Sequence, residues 1–129
     1  MRILLDTHIW LWSIYDPERI GKGLRLALKN PENELWLSPI STWEALILQD
    51  KGRIILEKDR AAWVADATAI FREAVVTHAV ALESHRISLP HRDPADRILA
   101  ATAKVLGLTL ATADAKLLGL GDIATLANR

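Results

Sequence analysis

Hydrophobic residues fall along this chain in two rhythms. Short unbroken runs occur at Ile3-Leu4-Leu5, Leu35-Trp36-Leu37, Val75-Val76, Leu108-Thr109-Leu110-Ala111 and Ile123 to Leu126. Runs of that length bounded by polar residues or turn signals predict buried strands. Between them, apolar positions recur at three- and four-residue steps, which predicts helices. One covers 8–15, with Thr7 as its cap. Asp16-Pro17-Glu18-Arg19 opens a turn and a second helix through Leu28. Ser41-Thr42-Trp43-Glu44 has the capping-box pattern before a helix ending near Lys51-Gly52. Asp59 caps a helix carrying Trp63, Val64, Ala67, Ile70, Phe71 and Ala74. A further helix spans roughly 78–87, stopped before Pro90, and another spans 94–106. In that last helix Asp93 suits the N-cap, Pro94 the first helical position and Gly107 the stop.

Strands alternating with helices predict an α/β fold around a mainly parallel sheet. Right-handed crossovers then cover both sheet faces, giving three layers. The 129 residues suit a single domain, 1–129. Half the residues are hydrophobic, enough for a real core. No cysteine is present, so disulfides and thiolate metal sites are excluded, in keeping with a reducing, cytoplasmic setting. The start, Met1 to Asp6, reads as a strand rather than a secretory signal, and no run is long enough to span a membrane. Sixteen basic residues balance sixteen acidic ones, which argues against a general nucleic-acid coat protein. A local basic rim around an acidic centre remains compatible with that balance.

The candidate chemistry lies in four carboxylates that share one kind of position. Asp6 ends the first strand, Glu44 follows the second, Asp96 opens the 94–106 helix and Asp114 follows the fourth strand. Ligand sites in open parallel sheets gather beyond the carboxyl ends of the strands, so these acids are expected in one cleft. Two unit charges about 4 Å apart repel by roughly 4 kcal/mol at an effective dielectric near 20. A gathered cluster therefore either protonates or holds a divalent cation. Oxygen ligands without cysteine favour Mg²⁺ or Mn²⁺, and the matching chemistry is hydrolysis of a phosphodiester.

All of these acids but Asp6 also have a plain structural explanation. Glu44 suits the third position of the Ser41 capping box, and Asp93 suits a simple N-cap. Asp96 complements the helix dipole, and Asp114 suits an acidic first turn after Thr112. Asp6 resists such an explanation, because a carboxylate ending a buried strand is costly. Arg92 and Arg97 flank the acidic turn and either hold a substrate phosphate or pair with neighbouring acids. His8, His78, His85 and His91 lack metal-ligand spacing. The five tryptophans mostly fall on apolar faces, which predicts core or interface rather than base stacking. Ser38 and Ser41 have no nucleophile-elbow context, and phosphate-binding glycine loops are absent.

At these residues the chain resembles the PIN-domain ribonucleases, in particular the VapC-like toxins of toxin–antitoxin pairs. The carrying segments are Leu4 to Trp12, Ser38 to Glu44, Leu89 to Ala103 with its His91-Arg92-Asp93-Pro94-Ala95-Asp96-Arg97 core, and Leu108 to Asp114. The resemblance implies an α/β/α sandwich of strand order 3-2-1-4-5 and Mg²⁺- or Mn²⁺-dependent endoribonuclease activity. It places the family's acids on Asp6, Glu44, Asp96 and Asp114, with Asp6, Asp96 and Asp114 as metal ligands. Thr7, Asp93, Arg92, Arg97 and Thr112 would support the site or its substrate, Thr112 by orienting Asp114. It also implies an RNA substrate, a small VapB-like antitoxin and a homodimer. Two other readings stay open: a non-catalytic protein-binding module whose acids only cap helices, and a DNA-directed structure-specific nuclease.

Overall fold

β1 (Arg2–Leu5) runs into α1 (Thr7–Tyr15) with only Asp6 between them. The computed structural model describes residues 1–89 and 93–129. Strands β2 (Glu34–Leu37), β3 (Arg72–Glu73), β4 (Thr109–Thr112) and β5 (Ala124–Ala127) complete a five-stranded sheet of order β3-β2-β1-β4-β5. Every pairing is parallel, and Leu4 stands between Trp36 of β2 and Leu110 of β4. The predicted α/β class and strand order are both found.

The central strand is apolar on both faces because both faces are covered. Leu4 packs with Leu99 and Ala100 of α6 (Pro94–Leu106) and Val80 of α5 (His78–Ser84). Its neighbours Ile3 and Leu5 turn the other way, against Ile9 and Trp10 of α1. Leu24 of α2 (Lys22–Lys29), Ala45 of α3 (Pro39–Asp50) and Trp63 of α4 (Arg60–Thr68) fill that second core. The period-two alternation of β1 thus divides the interior into two cores with the sheet as the middle layer. Among the described residues no helix is long and apolar enough to cross a membrane.

Local chemistry moved several predicted boundaries. Asp6, not Thr7, is the N-cap of α1, its carboxylate accepting from the His8 amide. The start of α3 is Ser38-Pro39, with the Ser38 hydroxyl accepting from Ile40 N–H at 3.1 Å. Proline preset for the first helical position fixes that earlier start. Ser41 and Glu44 therefore lie inside the helix, and the Ser41 capping box does not form. Helix α4 ends at Thr68, and Ile70 beyond it is exposed. The third strand is Arg72–Glu73 rather than Val75-Val76: Ala74 N–H still reaches Leu37 O, but the two valines have left the sheet and are exposed. Two charged residues on a two-residue strand suit a protected sheet edge. Helix α5 stops at Ser84, short of the predicted Ile87. Helix α6 has the bounds and caps predicted, with Gly107 left-handed at φ 65°.

Candidate active site

Parallel strands point their carboxyl ends one way, and the acids collect there. Asp6 follows β1 and is 5% exposed. One carboxylate oxygen accepts from His8 N–H at 3.3 Å, the other from the Thr112 hydroxyl at 2.6 Å. Burial pushes the Asp6 carboxyl up, and the Thr112 and His8 contacts pull it partly back. Thr112 ends β4, and its oxygen also accepts from Asp114 N–H at 3.0 Å. One hydroxyl thus ties the side chain of Asp6 to the backbone of Asp114. The sequence had assigned Thr112 to Asp114 alone. Asp114 caps α7 (Ala115–Leu118), accepting from Lys116 N–H at 2.8 Å.

Glu44 projects from the second turn of α3 and receives the Thr7 hydroxyl at 2.5 Å. Thr7 lies 2.8 Å from the Ser41 hydroxyl. Thr7 has one proton and gives it to Glu44, so Ser41 donates to Thr7. Three residues from two helices form a directed chain ending on the carboxylate. Burial raises the Glu44 carboxyl, opposed by Thr7 and reinforced by the charges of Asp93 and Asp6. Asp96 sits in the first turn of α6. Burial first, then the charges of Asp93, Asp6, Asp114 and Glu44, push it up to about 7.

Asp6, Glu44, Asp93, Asp96 and Asp114 line one open cleft of about 370 Å³, with His8, Trp12 and Ala113 completing its wall. The convergence expected from strand ends is therefore present. Asp93 is both the N-cap of α6, accepting from Ala95 N–H at 3.0 Å, and a cleft residue. Arg97 departs from the expectation of a phosphate or acid partner. Its guanidinium donates to the carbonyls of Ser84, Ile87 and Leu89, bracing the chain after α5. Ser84 is the last residue of α5 and Ile87 and Leu89 lie beyond it, so these carbonyls have no further helical turn to satisfy them and take the arginine. Arg92 and His91 lie outside the described residues.

Three residues near the acids were not singled out from sequence. His8 and Trp12 line the cleft, and Ser41 stands behind Thr7. The i, i+4 spacing of His8 and Trp12 directly after Asp6 was the available signal. Of the other tryptophans, Trp10 and Trp63 pack in the core with ring centroids 5.5 Å apart, as expected. Trp36 lies beside Arg2 and Arg72, and Trp43 is exposed.

The donor set is hard oxygen throughout, the type that Mg²⁺ and Mn²⁺ take. Among the described residues, no group of three acidic or histidine side chains is poised to hold an ion as it stands. A cation held by these oxygens would keep part of its water shell rather than be enclosed in an all-protein cage. The raised carboxyls at Asp6, Glu44 and Asp96 are what such a cation would relieve.

The sequence matches the PIN domain family over residues 3–122. It is 31% identical over 118 residues to Ribonuclease VapC22 of Mycobacterium tuberculosis, covering 89% of this chain and 88% of that protein. The fold is similar to that of DNA-bound VapBC from Salmonella typhimurium, with TM-score 0.76 and 15% identity over 100% of this chain and 99% of the other. It is also similar to FitAcB from Neisseria gonorrhoeae, with TM-score 0.67 and 25% identity over 96% of each chain. The family match over nearly the whole chain, together with the VapC22 identity, makes this protein a VapC-like member of the PIN-domain family.

Proposed function

We propose that this chain is a metal-dependent endoribonuclease that serves as the toxin of a toxin–antitoxin pair. The observation that carries the reading is the convergence of Asp6, Glu44, Asp96 and Asp114, from four separate elements, on one cleft. Relatedness to a ribonuclease supports RNA as the polymer, and likeness to VapBC assemblies supports a VapB-like antitoxin as partner. We take residues 1–129 to work as one PIN-like unit, as a homodimer in the cytoplasm, where RNA and antitoxin are available.

In this reading Asp6, Asp96 and Asp114 hold Mg²⁺ or Mn²⁺, directly or through water, and Glu44 completes the shell or orients the attacking water. When bound, such a cation stabilises charge developing on a phosphoryl oxygen and makes water a better nucleophile. The chain's own part is positioning. Thr112 fixes which way the Asp6 carboxylate faces while holding the Asp114 backbone beside it. The Ser41–Thr7 chain fixes one oxygen of Glu44. Asp93 starts α6 so that Asp96 enters the cleft from its first turn.

The test is cleavage of a labelled single-stranded RNA by purified protein with Mg²⁺ or Mn²⁺, beside Asp6→Asn and Asp96→Asn. Cleavage by the parent, abolished by chelator and greatly reduced by either substitution, is expected. Equal cleavage by either variant overturns the site assignment. Cleavage of DNA but not RNA overturns the substrate. If Mn²⁺ leaves the melting temperature unmoved and no polymer is cut, the acids are helix caps and the chain is a binding module.

A further inference from the structure

The cleft is lined by two unlike kinds of side chain. Carboxylates are one, and the rings of His8 and Trp12 are the other. Both rings come from α1, one turn apart, with centroids 6.1 Å apart and planes tilted by 53°. Arg19, from the 3₁₀ turn Pro17–Arg19, places its guanidinium carbon 4.2 Å from the centroid of the Trp12 ring. That is within cation–π range. Asp16 steadies the same guanidinium at 4.0 Å. An aromatic pair, one ring covered by a cation, therefore adjoins an acidic site.

Core packing explains only part of this arrangement. Trp12 is half-buried and rests on the core beneath α1. A tryptophan serving the core alone looks like its neighbour Trp10, which is fully buried against Trp63. Trp12 instead lines the acid cleft and carries a cation on its ring.

The acidic wall repels a polyanion, so a nucleic acid must be gripped by something other than carboxylates. Unpaired bases present π faces for aromatic side chains, and the backbone presents phosphates for a guanidinium. A duplex hides its π faces in its own stack. We propose that His8, Trp12 and Arg19 form the nucleotide-binding wall of the cleft. A base of single-stranded RNA, next to the scissile phosphate, takes the place of Arg19 against the Trp12 ring beside His8, and the released Arg19 guanidinium holds a neighbouring phosphate. The choice of polymer rests on the nuclease reading of the acids; the wall itself rests on the ring and guanidinium geometry.

The test is equilibrium binding of a labelled random-sequence pool of short oligoribonucleotides, in an Asp96→Asn background with Mg²⁺. Trp12→Leu should weaken binding about tenfold, while Trp12→Phe, which keeps a ring, should retain most of it. The same ribose-phosphate chain without bases should bind the Asp96→Asn parent poorly and be indifferent to Trp12→Leu. Arg19→Gln, at an exposed position, should make the log–log salt dependence shallower by about 0.7, the loss of one phosphate contact. The wall is overturned if a folded Trp12→Leu protein binds the pool like its parent. It is equally overturned if the substitution weakens the baseless chain as much as RNA, or if no RNA binds. Cleavage by the otherwise unaltered protein is scored separately. Trp12-dependent binding without cleavage keeps the wall and sinks the nuclease, and cleavage with Trp12-independent binding does the reverse.

Discussion

Acids meet helix α6 at both of its ends, and the two ends treat them in opposite ways. In the last turn, Lys104 reaches Glu83 at 2.7 Å and Asp122 at 3.0 Å. Its hydrogen bonds hold both carboxyls below their ordinary range. In the first turn, burial and then four neighbouring acids push Asp96 up to about 7. The residue types are the same and the shifts are opposite. Carboxylates that fasten this fold sit on a cation, whereas those in the cleft raise one another's affinity for positive charge. A raised carboxyl is by itself a cost to stability, and its placement among acids of other elements is the signature the proposed reading uses.

The strongest way to break the comparison is Asp96→Asn. It should lower RNA cleavage with Mg²⁺ or Mn²⁺ by about 10²–10³, the usual scale for losing one electrostatic contributor. It should also raise the melting temperature of the metal-free protein at pH 8, because a repelled carboxylate is gone. Activity assays and thermal melts on the same preparation check both. Loss of stability in place of a gain would mean that Asp96 serves the helix rather than the cleft.

A smaller effect is expected one step back from the acids. Thr112→Val keeps the shape of the side chain and removes the hydroxyl between Asp6 and Asp114. Cleavage should fall about 10–100-fold, as for other groups that orient ligands. Stability should drop by about 1–3 kcal/mol, because a buried carboxylate loses a partner. Thr112→Ser should restore most of both.

The pH dependence sharpens the contrast further. Asp96 titrates at about 7 in the folded chain, against 3.8 for an ordinary aspartate. Between those values the folded state holds a proton that the unfolded state has released. The contribution of Asp96 to metal-free stability is therefore fully present below the ordinary value and is lost as pH rises toward about 7. Asp6 and Glu44 are shifted in the same direction and add to that slope. A divalent cation favours the ionised form, so Mn²⁺ should stabilise most at high pH, by about 2.7 kcal/mol when its concentration is a hundred times its Kd. Melts from pH 5 to 8 with and without Mn²⁺ test this, and Asp96→Asn should flatten both responses.

How far these features were readable without coordinates depended on whether they were local. The α6 segment carried its own punctuation in Asp93, Pro94 and Gly107, and its bounds were read correctly. Asp6 at the end of an apolar run was legible for the same reason. The start of α3 was misread because two capping signals overlapped, and Ser38-Pro39 prevailed over Ser41. That error left Glu44 open to a capping role the structure removes. The third strand was misread because Val75-Val76 looks like a strand, whereas pairing to β2 selected Arg72–Glu73. Arg97 was misjudged because its carbonyl partners lie after a helix whose end was placed too late. Trp12 and Ser41 were missed because what they face belongs to other elements.

The smallest expected effect lies at the other end of α6. Lys104→Met removes the cation from Glu83 and Asp122 while leaving the buried face of the helix untouched. Both acids are held below their ordinary range, so the contribution they make is present at neutral pH and is lost as pH falls below that range. The variant should therefore melt slightly lower at pH 7, and the difference should shrink in high salt and at acid pH. Cleavage should stay at the level of the unaltered protein, since Lys104 is about two turns from Asp96 along the helix and its ion pairs go to Glu83 and Asp122, which do not line the cleft. Melts at two salt concentrations and one activity assay decide the matter. A Lys104→Met protein that loses cleavage but not stability would show that charge at the last turn is felt at the first, and the two ends would have to be treated as one electrostatic unit.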